Sequence, residues 1–321
     1  MDILSDAVAA MRLGTPHSNR TVHRAPWSTY FPAAGNSAGF HVVLQGSCWL
    51  LPDYGDPIHL QVGDVAFAPR SRGHALSDSP TGTSRAETPR PAEMSSAADT
   101  SNAANTSNAA DAWSADTAWS ADAAGPETVL LCGAYLLDDS RPHPALVELP
   151  DVIHLPARVG HSPLRAAIDL LGHELDTRDG SGAIAPLLEV LLLFMVRTWY
   201  EAHPAESGWV AALRDPAVHA ALQAMHAQPA APWTVAALAA QAGVSRSVFA
   251  QRFTATTGTG PLNYLTWWRM TRAARMLRES DVLLRVVAEQ CGYSSEFAFA
   301  KAFKREFGIA PGQFRLRADA A

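Results

Sequence analysis

The first half of the chain contains short apolar stretches that Gly, Pro and Asp residues interrupt. Three of them are residues 40–51 (FHVVLQGSCWLL), 58–69 (IHLQVGDVAFAP) and 127–137 (ETVLLCGAYLL). They are rich in β-branched and aliphatic residues and alternate in part between apolar and polar positions, which is typical of β-strands. The pattern predicts a small antiparallel barrel or sandwich.

From Ser162 the apolar positions recur at helical spacing instead. In a first segment they are four, three and four residues apart, at Leu164, Ile168, Leu171 and Leu175. A second segment follows the same rule, at Ile184, Leu187, Leu188, Leu191, Leu192 and Met195. Two amphipathic helices joined by residues 176–182 are therefore expected. Their apolar stripes must pack on the strands or on a second copy of the chain.

Two stretches near the C-terminus resemble each other. Residues 235–258 (VAALAAQAGVSRSVFAQRFTATTG) and 284–308 (LRVVAEQCGYSSEFAFAKAFKREFG) share one order: an apolar helix, a glycine, an apolar residue, a serine, and a second helix that ends at glycine. Glycine permits a left-handed turn, and serine caps the helix that follows. The order predicts two helix-turn-helix motifs, whose turn glycines Gly243 and Gly292 are 49 residues apart.

The second helix of each motif divides into an inner and an outer face. Phenylalanines four residues apart should face the core, as Phe249 with Phe253 and Phe299 with Phe303. The outer positions are then Arg246, Ser247, Ala250 and Gln251 in the first motif, and Glu296, Phe297, Ala300 and Lys301 in the second. Arg can hydrogen-bond guanine, Gln adenine and Glu cytosine, and Phe or Ala can contact a thymine methyl group. These eight residues are candidate readers of base edges in double-stranded DNA.

One long helix is expected between the motifs, at residues 263–280 (NYLTWWRMTRAARMLRES). A rigid helix there would fix the distance between the two recognition helices, so that one chain could read two adjacent turns of DNA. Its basic side chains could contact phosphates or acidic neighbours: Arg269, Arg272, Arg275 and Arg278.

Charge supports this division of the chain. The formal net charge is −6. Before residue 216, 13 Arg against 25 Asp and Glu give −12, whereas from residue 216 onward 12 Lys and Arg against 6 Asp and Glu give +6. A basic segment joined to an acidic one fits a polyanion-binding domain attached to a partner domain of another function.

Other features of the composition limit the fold and its location. Residues 81–126 are rich in Ala, Ser, Thr, Asp and Asn and repeat in sixes, which predicts a disordered insert at about residues 80–127. The three cysteines are far apart, so neither a disulfide framework nor a zinc cluster is expected. The longest apolar run, residues 187–196, contains Glu189 and is too short to cross a bilayer, and the N-terminus lacks an export signal. We expect a cytoplasmic protein with no membrane partner.

Residues 216–317 resemble the DNA-binding domain of AraC/XylS-type transcriptional regulators. The resemblance is carried by residues 261–277 (PLNYLTWWRMTRAARML) and 287–315 (VAEQCGYSSEFAFAKAFKREFGIAPGQFR). It implies that the eight outer residues contact promoter or operator DNA and that the protein is a homodimer, with RNA polymerase as a further candidate partner. Phe297 and Ala300 stand where polar residues are frequent in the family, which leaves open the base sequence that the second helix reads.

Members of this family often carry an N-terminal cupin domain, and residues 40–78 resemble a regulator variant of it. Gly63, Pro69, His74 and Asp78 keep the spacing of the second cupin motif, with Ser71 in place of its second glycine and Asp78 in place of its asparagine. In metal-binding cupins His74 would be one ligand, and two histidines and a glutamate would come from the first motif.

The first motif offers only His41, and Cys48 or His59 would have to complete a metal site. A catalytic metal centre usually needs three converging protein ligands. We therefore expect no metal, no cofactor and no catalytic residue, and we interpret His41, Cys48 and His74 as a candidate effector pocket.

The expected fold class is α+β. Residues 1–160 form a cupin-like β-barrel sensor, 161–205 a helical hairpin that dimerises, 206–215 a linker, and 216–318 an all-α domain with two helix-turn-helix motifs. The expected function is a sequence-specific transcriptional regulator whose promoter binding responds to a small-molecule effector or a redox signal at the barrel, the latter through Cys48 or Cys132. The alternative is a metal-dependent cupin enzyme with an accessory DNA-binding domain.

Overall fold

The computed structural model describes residues 3–34, 36–70, 72–81, 125–138, 142–157, 162–176, 182–203 and 208–319. The chain divides into two compact units. The sheet unit contains Arg12–Asp139 and Leu149–Trp199, and the helical unit contains Met1–Met11, Ser140–Glu148 and Tyr200–Ala321. The middle of the predicted insert, residues 82–124, lies outside the described residues.

Antiparallel strands form the sheet unit, as the apolar pattern predicts. In chain order they are β1 (Arg12–Arg24), β2 (Ser28–Phe31), β3 (Ser37–Gln45), β4 (Ser47–Pro52), β5 (Ile58–Gln61), β6 (Val65–Ala68), β7 (His74–Ser77), β8 (Glu127–Leu137) and β9 (Ile153–Leu155). One sheet has the order β1-β8-β3-β6-β9 and the other β2-β7-β4-β5. Strand β8 begins at Glu127, so the predicted insert ends at least one residue earlier than expected.

The two sheets face each other across one apolar core. Strands of both sheets contribute to it, with Phe31, Val43, Cys48, Leu50, Leu60, Ala66, Leu76, Leu130, Cys132 and Ala134 all buried. Burial of a large apolar side chain contributes about 1.5–3 kcal/mol, so this shared core holds the two sheets together.

The two predicted amphipathic helices are present as α3 (Ser162–Asp176) and α4 (Ile184–Ala202). Most of their apolar stripes are buried, including Leu164, Ile168, Leu171, Leu188, Leu191, Leu192 and Met195. The hydroxyl of Tyr135 on β8 donates a hydrogen bond to the carbonyl of Leu188 at 2.8 Å, so α4 covers the five-stranded sheet. The stripes therefore find their partner within the same chain, and they supply no argument of their own for a second copy.

The helical unit contains the remaining helices. They are α1 (Ile3–Met11), α2 (Pro144–Val147), α5 (Gly208–Arg214), α6 (Pro216–Ala227), α7 (Val235–Gln241), α8 (Arg246–Thr257), α9 (Pro261–Glu279), α10 (Leu284–Gln290), α11 (Glu296–Phe307) and α12 (Pro311–Asp319). None of the helices in the described ranges is long and apolar enough to cross a membrane.

The structure differs from the predicted linker at residues 206–215, because residues 208–214 are helical. Its described part is the helix α5, because Trp209, Val210 and Ala212 offer apolar side chains that are at most 5% exposed. Asp215 then caps α6 by accepting hydrogen bonds from the backbone amides of Ala217 and Val218. The division into units also differs from the predicted domain limits, since α1 and residues 142–148 pack with the C-terminal helices.

Both helix-turn-helix turns have the predicted chemistry. Gly243 and Gly292 adopt the left-handed conformation, with φ of 68° and 77°. Ser245 caps α8, and Ser295 caps α11 by accepting a hydrogen bond from the amide of Ala298. A Cβ atom at Gly292 would lie 2.8 Å from the carbonyl oxygen of Ala230, so glycine is required at this turn for space as well as for conformation.

Candidate nucleic-acid interface and sensor core

The first recognition helix, α8, separates its faces as predicted. Phe249 and Phe253 are fully buried. Arg246, Ser247 and Gln251 are exposed, and Ala250 is half-buried between the two faces. Helices α5 and α7 pack against α8.

The second recognition helix, α11, repeats the arrangement. Phe299 and Phe303 are fully buried, whereas Glu296 and Lys301 are exposed and Ala300 is half-buried. Phe297 is 81% exposed. A phenylalanine so open to water forms no part of the core of the helical unit, which makes it available for an apolar contact with a ligand.

Two cationic side chains of the predicted reading faces have no binding partner among the described residues. Among the described residues, neither Arg246 nor Lys301 has a hydrogen-bond or ion-pair partner, although both are exposed. Arg252 on α8 differs, because its guanidinium lies 3.8 Å from the carboxylate of Asp215. The structure thus leaves Arg246 and Lys301 free to bind an acceptor outside the chain.

Helix α9 joins the two motifs over 19 residues, which is about 28 Å. It packs against α10 and α11 through an apolar cluster that includes Met270, Leu277, Phe299 and Phe303. The predicted rigid spacer between the motifs is therefore present. Its length is comparable with one turn of DNA, about 34 Å.

Most of the arginines of α9 contact the protein itself. Arg269 donates hydrogen bonds to the carbonyls of Pro229 and Ala231, at 2.7 and 2.8 Å. Arg275 pairs with Glu279, and Arg278 lies over the ring of Phe314 at 5.5 Å. Arg275 thus has the expected acidic neighbour, whereas Arg269 binds backbone carbonyls and Arg278 contacts an aromatic ring.

In the sheet unit the structure brings His41 and His74 together. The two Nε2 atoms are 2.8 Å apart, and both side chains are 1% exposed. Nδ1 of His41 lies 3.1 Å from the sulfur of Cys132, and Nδ1 of His74 lies 3.3 Å from the carbonyl oxygen of Arg72. These contacts define the sensor core, which consists of His41, His74 and Cys132.

The carbonyl of Arg72 determines which ring nitrogens of His74 and His41 carry a proton. A carbonyl only accepts, so His74 carries its proton on Nδ1 and accepts on Nε2. His41 must then donate from Nε2 and accept from the Cys132 thiol at Nδ1. Cys132 thiol, His41, His74 and the Arg72 carbonyl therefore form one directed chain of hydrogen bonds.

The pocket that the sequence predicts, His41, Cys48 and His74, does not include Cys132, which the sequence suggests only as a redox site. Its contact with His41 arises because these residues are paired across β3 and β8, 91 positions apart. Cys48 belongs to the same buried cluster. His59 is exposed and its ring lies 4.7 Å from that of Trp49, so it does not join the sensor core.

The arrangement does not form a mononuclear metal site. His41 turns opposite ring nitrogens to His74 and to Cys132, so the three side chains do not converge on one point. The described residues contain no group of three or more His, Cys, Asp or Glu side chains that could hold a metal ion.

Burial also raises the pKa of the two thiols in this core, Cys48 and Cys132. It raises the pKa of Cys48 to about 12, with a further contribution from the charge of Asp64. The pKa of Cys132 is likewise raised to about 12 by burial and by Cys48, against a hydrogen bond from Thr21 that lowers it. Both thiols are protonated at neutral pH in this conformation, and the protonated thiol is the unreactive form.

We expect the stability of the sheet unit to fall in acid because of His74. Burial lowers its pKa from 6.5 to about 4, although the carbonyl of Arg72 and the charge of Asp53 act in the opposite direction. Between pH 6.5 and 4 the unfolded chain therefore binds a proton that the folded chain does not, so the free energy of unfolding decreases as the pH falls. Through this pKa difference, His74 contributes about 3 kcal/mol to the free energy of unfolding at neutral pH. This contribution is fully lost below about pH 4.

Hydrogen exchange of the β-strand amides between pH 7 and 4, corrected for intrinsic exchange rates, measures this effect. His74→Gln should give a flatter pH profile than the natural chain, and His59→Gln, an exposed histidine, should keep the natural profile. Equal pH profiles for His74→Gln and the natural chain would contradict the prediction.

Comparison with known proteins agrees with both halves of this description. Residues 2–201 match the model of a cupin family, and residues 238–317 match that of a helix-turn-helix domain. An AraC-like transcription regulator of Streptomyces lividans is 35% identical over 98% of each chain, and one of Streptomyces antibioticus is 34% identical over 98% of each chain. The crystal structure of the DNA-binding domain of AdpA with a target DNA is 34% identical over 33% of this chain and 95% of that chain, with a TM-score of 0.31.

The two full-length relatives are transcription regulators, which favours that function over the alternative of a cupin enzyme with an accessory DNA-binding domain. Identity at this level extends over both the sheet unit and the helix-turn-helix motifs. The chain therefore belongs to the AraC family of DNA-binding transcription regulators and carries a cupin domain at its N-terminus.

Proposed function

We propose that this regulator reads a specific promoter or operator sequence through the outer faces of α8 and α11. The contacting residues are Arg246, Ser247, Ala250, Gln251, Glu296, Phe297, Ala300 and Lys301. The observation that carries the proposal is the pair of exposed cations Arg246 and Lys301, one on each recognition helix, which have no partner among the described residues.

The chemistry of the two faces differs. The face of α8 offers hydrogen-bonding groups, from Arg246, Ser247 and Gln251, which suit the donor and acceptor pattern of the major groove. The face of α11 adds the exposed ring of Phe297 beside Glu296 and Lys301. We therefore expect α8 to read guanine or adenine, and α11 to prefer a site that contains thymine.

The proposal includes control by the cupin domain. A small-molecule effector or a redox signal acting at the sensor core would shift the populations of DNA-binding and non-binding conformations. Its support is a buried polar chain in an otherwise apolar core, where each group depends on its neighbour for a hydrogen bond. Because both thiols are held protonated, the structure favours a small effector over direct oxidation of Cys48 or Cys132.

We also propose a homodimer that binds two half-sites. Leu170 on α3 is 54% exposed and Val190 on α4 is 39% exposed, so the outer surfaces of these helices keep apolar side chains after their stripes are buried. RNA polymerase is a further partner of the proposed regulator.

Selection of bound sequences from random DNA by the full chain tests the proposal. We expect enrichment of one defined sequence, present in two copies at a fixed spacing if the protein is a dimer. Affinity for this site should fall as salt rises, while the preference over random DNA persists. Failure to enrich any sequence, with binding that depends on salt alone, would contradict sequence-specific reading.

A further inference from the structure

A second buried polar chain lies in the helical unit. Asp6 on α1 contacts Nδ1 of His226 on α6 at 3.2 Å. Nε2 of His226 lies 2.7 Å from the hydroxyl of Tyr264 on α9, which lies 3.2 Å from Nε2 of His143, the residue before α2. His143, His226 and Tyr264 are at most 1% exposed. These four residues form what we term the clasp.

The protons of the clasp follow from one backbone contact. The amide of Ala145 donates to Nδ1 of His143 at 3.1 Å, so His143 carries its proton on Nε2. That proton goes to the hydroxyl of Tyr264, the hydroxyl donates to Nε2 of His226, and Nδ1 of His226 donates to the carboxylate of Asp6. Every donor has an acceptor in this direction, so the loss of one bond leaves a buried polar group unsatisfied.

The hydrogen bonds of the clasp connect two separate segments to the helix-turn-helix region. One is α1, which packs against α6 and α9. The other is residues 142–148, which Tyr200 and α5 also hold: the hydroxyl of Tyr200 donates to the carbonyl of Ala145 at 2.6 Å, and Glu148 accepts from the amide of Trp209 at 2.7 Å. In the sequence, the first segment directly precedes β1 and the second lies between β8 and β9.

Chain connectivity links both segments to one strand pair of the sheet unit. Helix α1 ends at Met11 and β1 begins at Arg12, and β8 ends at Leu137, a few residues before residue 142. Arg12 and Leu137 are directly paired in the β1–β8 ladder. The two connections therefore leave the same end of the same strand pair, and β8 also carries Cys132 of the sensor core.

We propose that residues 3–11 and 142–148, held by the clasp, couple the state of the sensor core to the first helix-turn-helix motif. A shift of β8 acts on both segments at once. It reaches the recognition helix through Tyr264, whose ring lies 5.9 Å from that of Phe253 on α8. This inference rests on the proposed DNA-binding function and adds its route of control.

The experiment uses the full chain with Tyr264→Phe, which removes the central hydroxyl of the clasp. We expect at least tenfold faster amide exchange in residues 3–11 and 142–148. We also expect at least a threefold change in the dissociation constant for the selected DNA site. Asp6→Ala breaks the clasp at its outer end and should act in the same direction even if Tyr264→Phe folds poorly.

Tyr30→Phe is the control, because it removes a tyrosine hydroxyl and its hydrogen bond to Asp53 from β2, in the sheet that contains neither β1 nor β8. It should leave exchange in the two segments at the natural rate. Unchanged exchange in Asp6→Ala would overturn the clasp, and faster exchange with a DNA dissociation constant within threefold of natural would overturn the coupling. Loss of the proposed function has a different signature, since the natural chain would then select no DNA sequence.

Discussion

Replacing Phe299 with alanine is expected to lower the free energy of unfolding of the helical unit by about 3–5 kcal/mol. The side chain is fully buried in the cluster that joins α9, α10 and α11. Its ring contacts those of Tyr293 and Phe303, each with a centroid distance of 5.7 Å. Truncation would remove these contacts and leave a cavity beneath the second recognition helix. Urea unfolding followed by circular dichroism measures the change.

Phe297→Ala is the control, because it makes the same chemical change two residues earlier on the same helix. Phe297 is 81% exposed, so its loss should change stability by less than about 0.5 kcal/mol. The same variant should weaken the preference for the selected DNA site if Phe297 contacts a thymine methyl group. A stability loss as large for Phe297→Ala as for Phe299→Ala would show that the division of α11 into inner and outer faces is wrong.

The helix-turn-helix motifs were predictable because every signal in them is local. Phenylalanines four apart, a turn glycine and a capping serine lie within about 25 residues, and each acts through its own backbone or the next helix turn. The cap of α11 is Ser295, the second of the two adjacent serines that follow Tyr293. Glycine is required at position 292 for a further reason that the motif does not predict, namely the close approach of Ala230.

The sensor core and the clasp were not predictable in the same way. His41 meets Cys132 only through the register of β3 and β8, and a shift by one residue would turn one of them to the opposite face of the sheet. Asp6 and His226 are 220 positions apart, and their contact depends on how α1 packs on α6 and α9. Periodicity predicts which face of an element is apolar, but it does not identify the element that covers this face.

The predicted dimer shows the same limit. Apolar stripes on α3 and α4 required a partner, and either the sheets or a second copy would have satisfied them. Contacts such as that of Tyr135 with Leu188 show that the sheet unit fills this role for α4. The case for the dimer now depends on the exposed side chains of Leu170 and Val190, a smaller surface than the stripes suggested.

The combined replacement Arg246→Ala and Lys301→Ala is expected to abolish most of the preference for the selected DNA site. Each cation is exposed and without a partner among the described residues. Arg246 is the first residue of α8, and Lys301 lies in the middle of α11. A bidentate contact with guanine contributes about 1–3 kcal/mol of discrimination. Fluorescence anisotropy with the selected site and a scrambled duplex, at several salt concentrations, separates loss of preference from loss of general affinity.

Arg252→Ala with Lys304→Ala provides the matched control. It removes the same charge from the same two helices, but Arg252 is held near Asp215 and both positions lie outside the proposed reading faces. Loss of positive charge alone should weaken binding to both duplexes about equally, because it acts through phosphates. The reading variant should instead bring the affinity for the selected site close to that for the scrambled one. If both double variants weakened the two duplexes equally, Arg246 and Lys301 would act as phosphate contacts, and base reading would have to come from Gln251, Glu296 and Phe297.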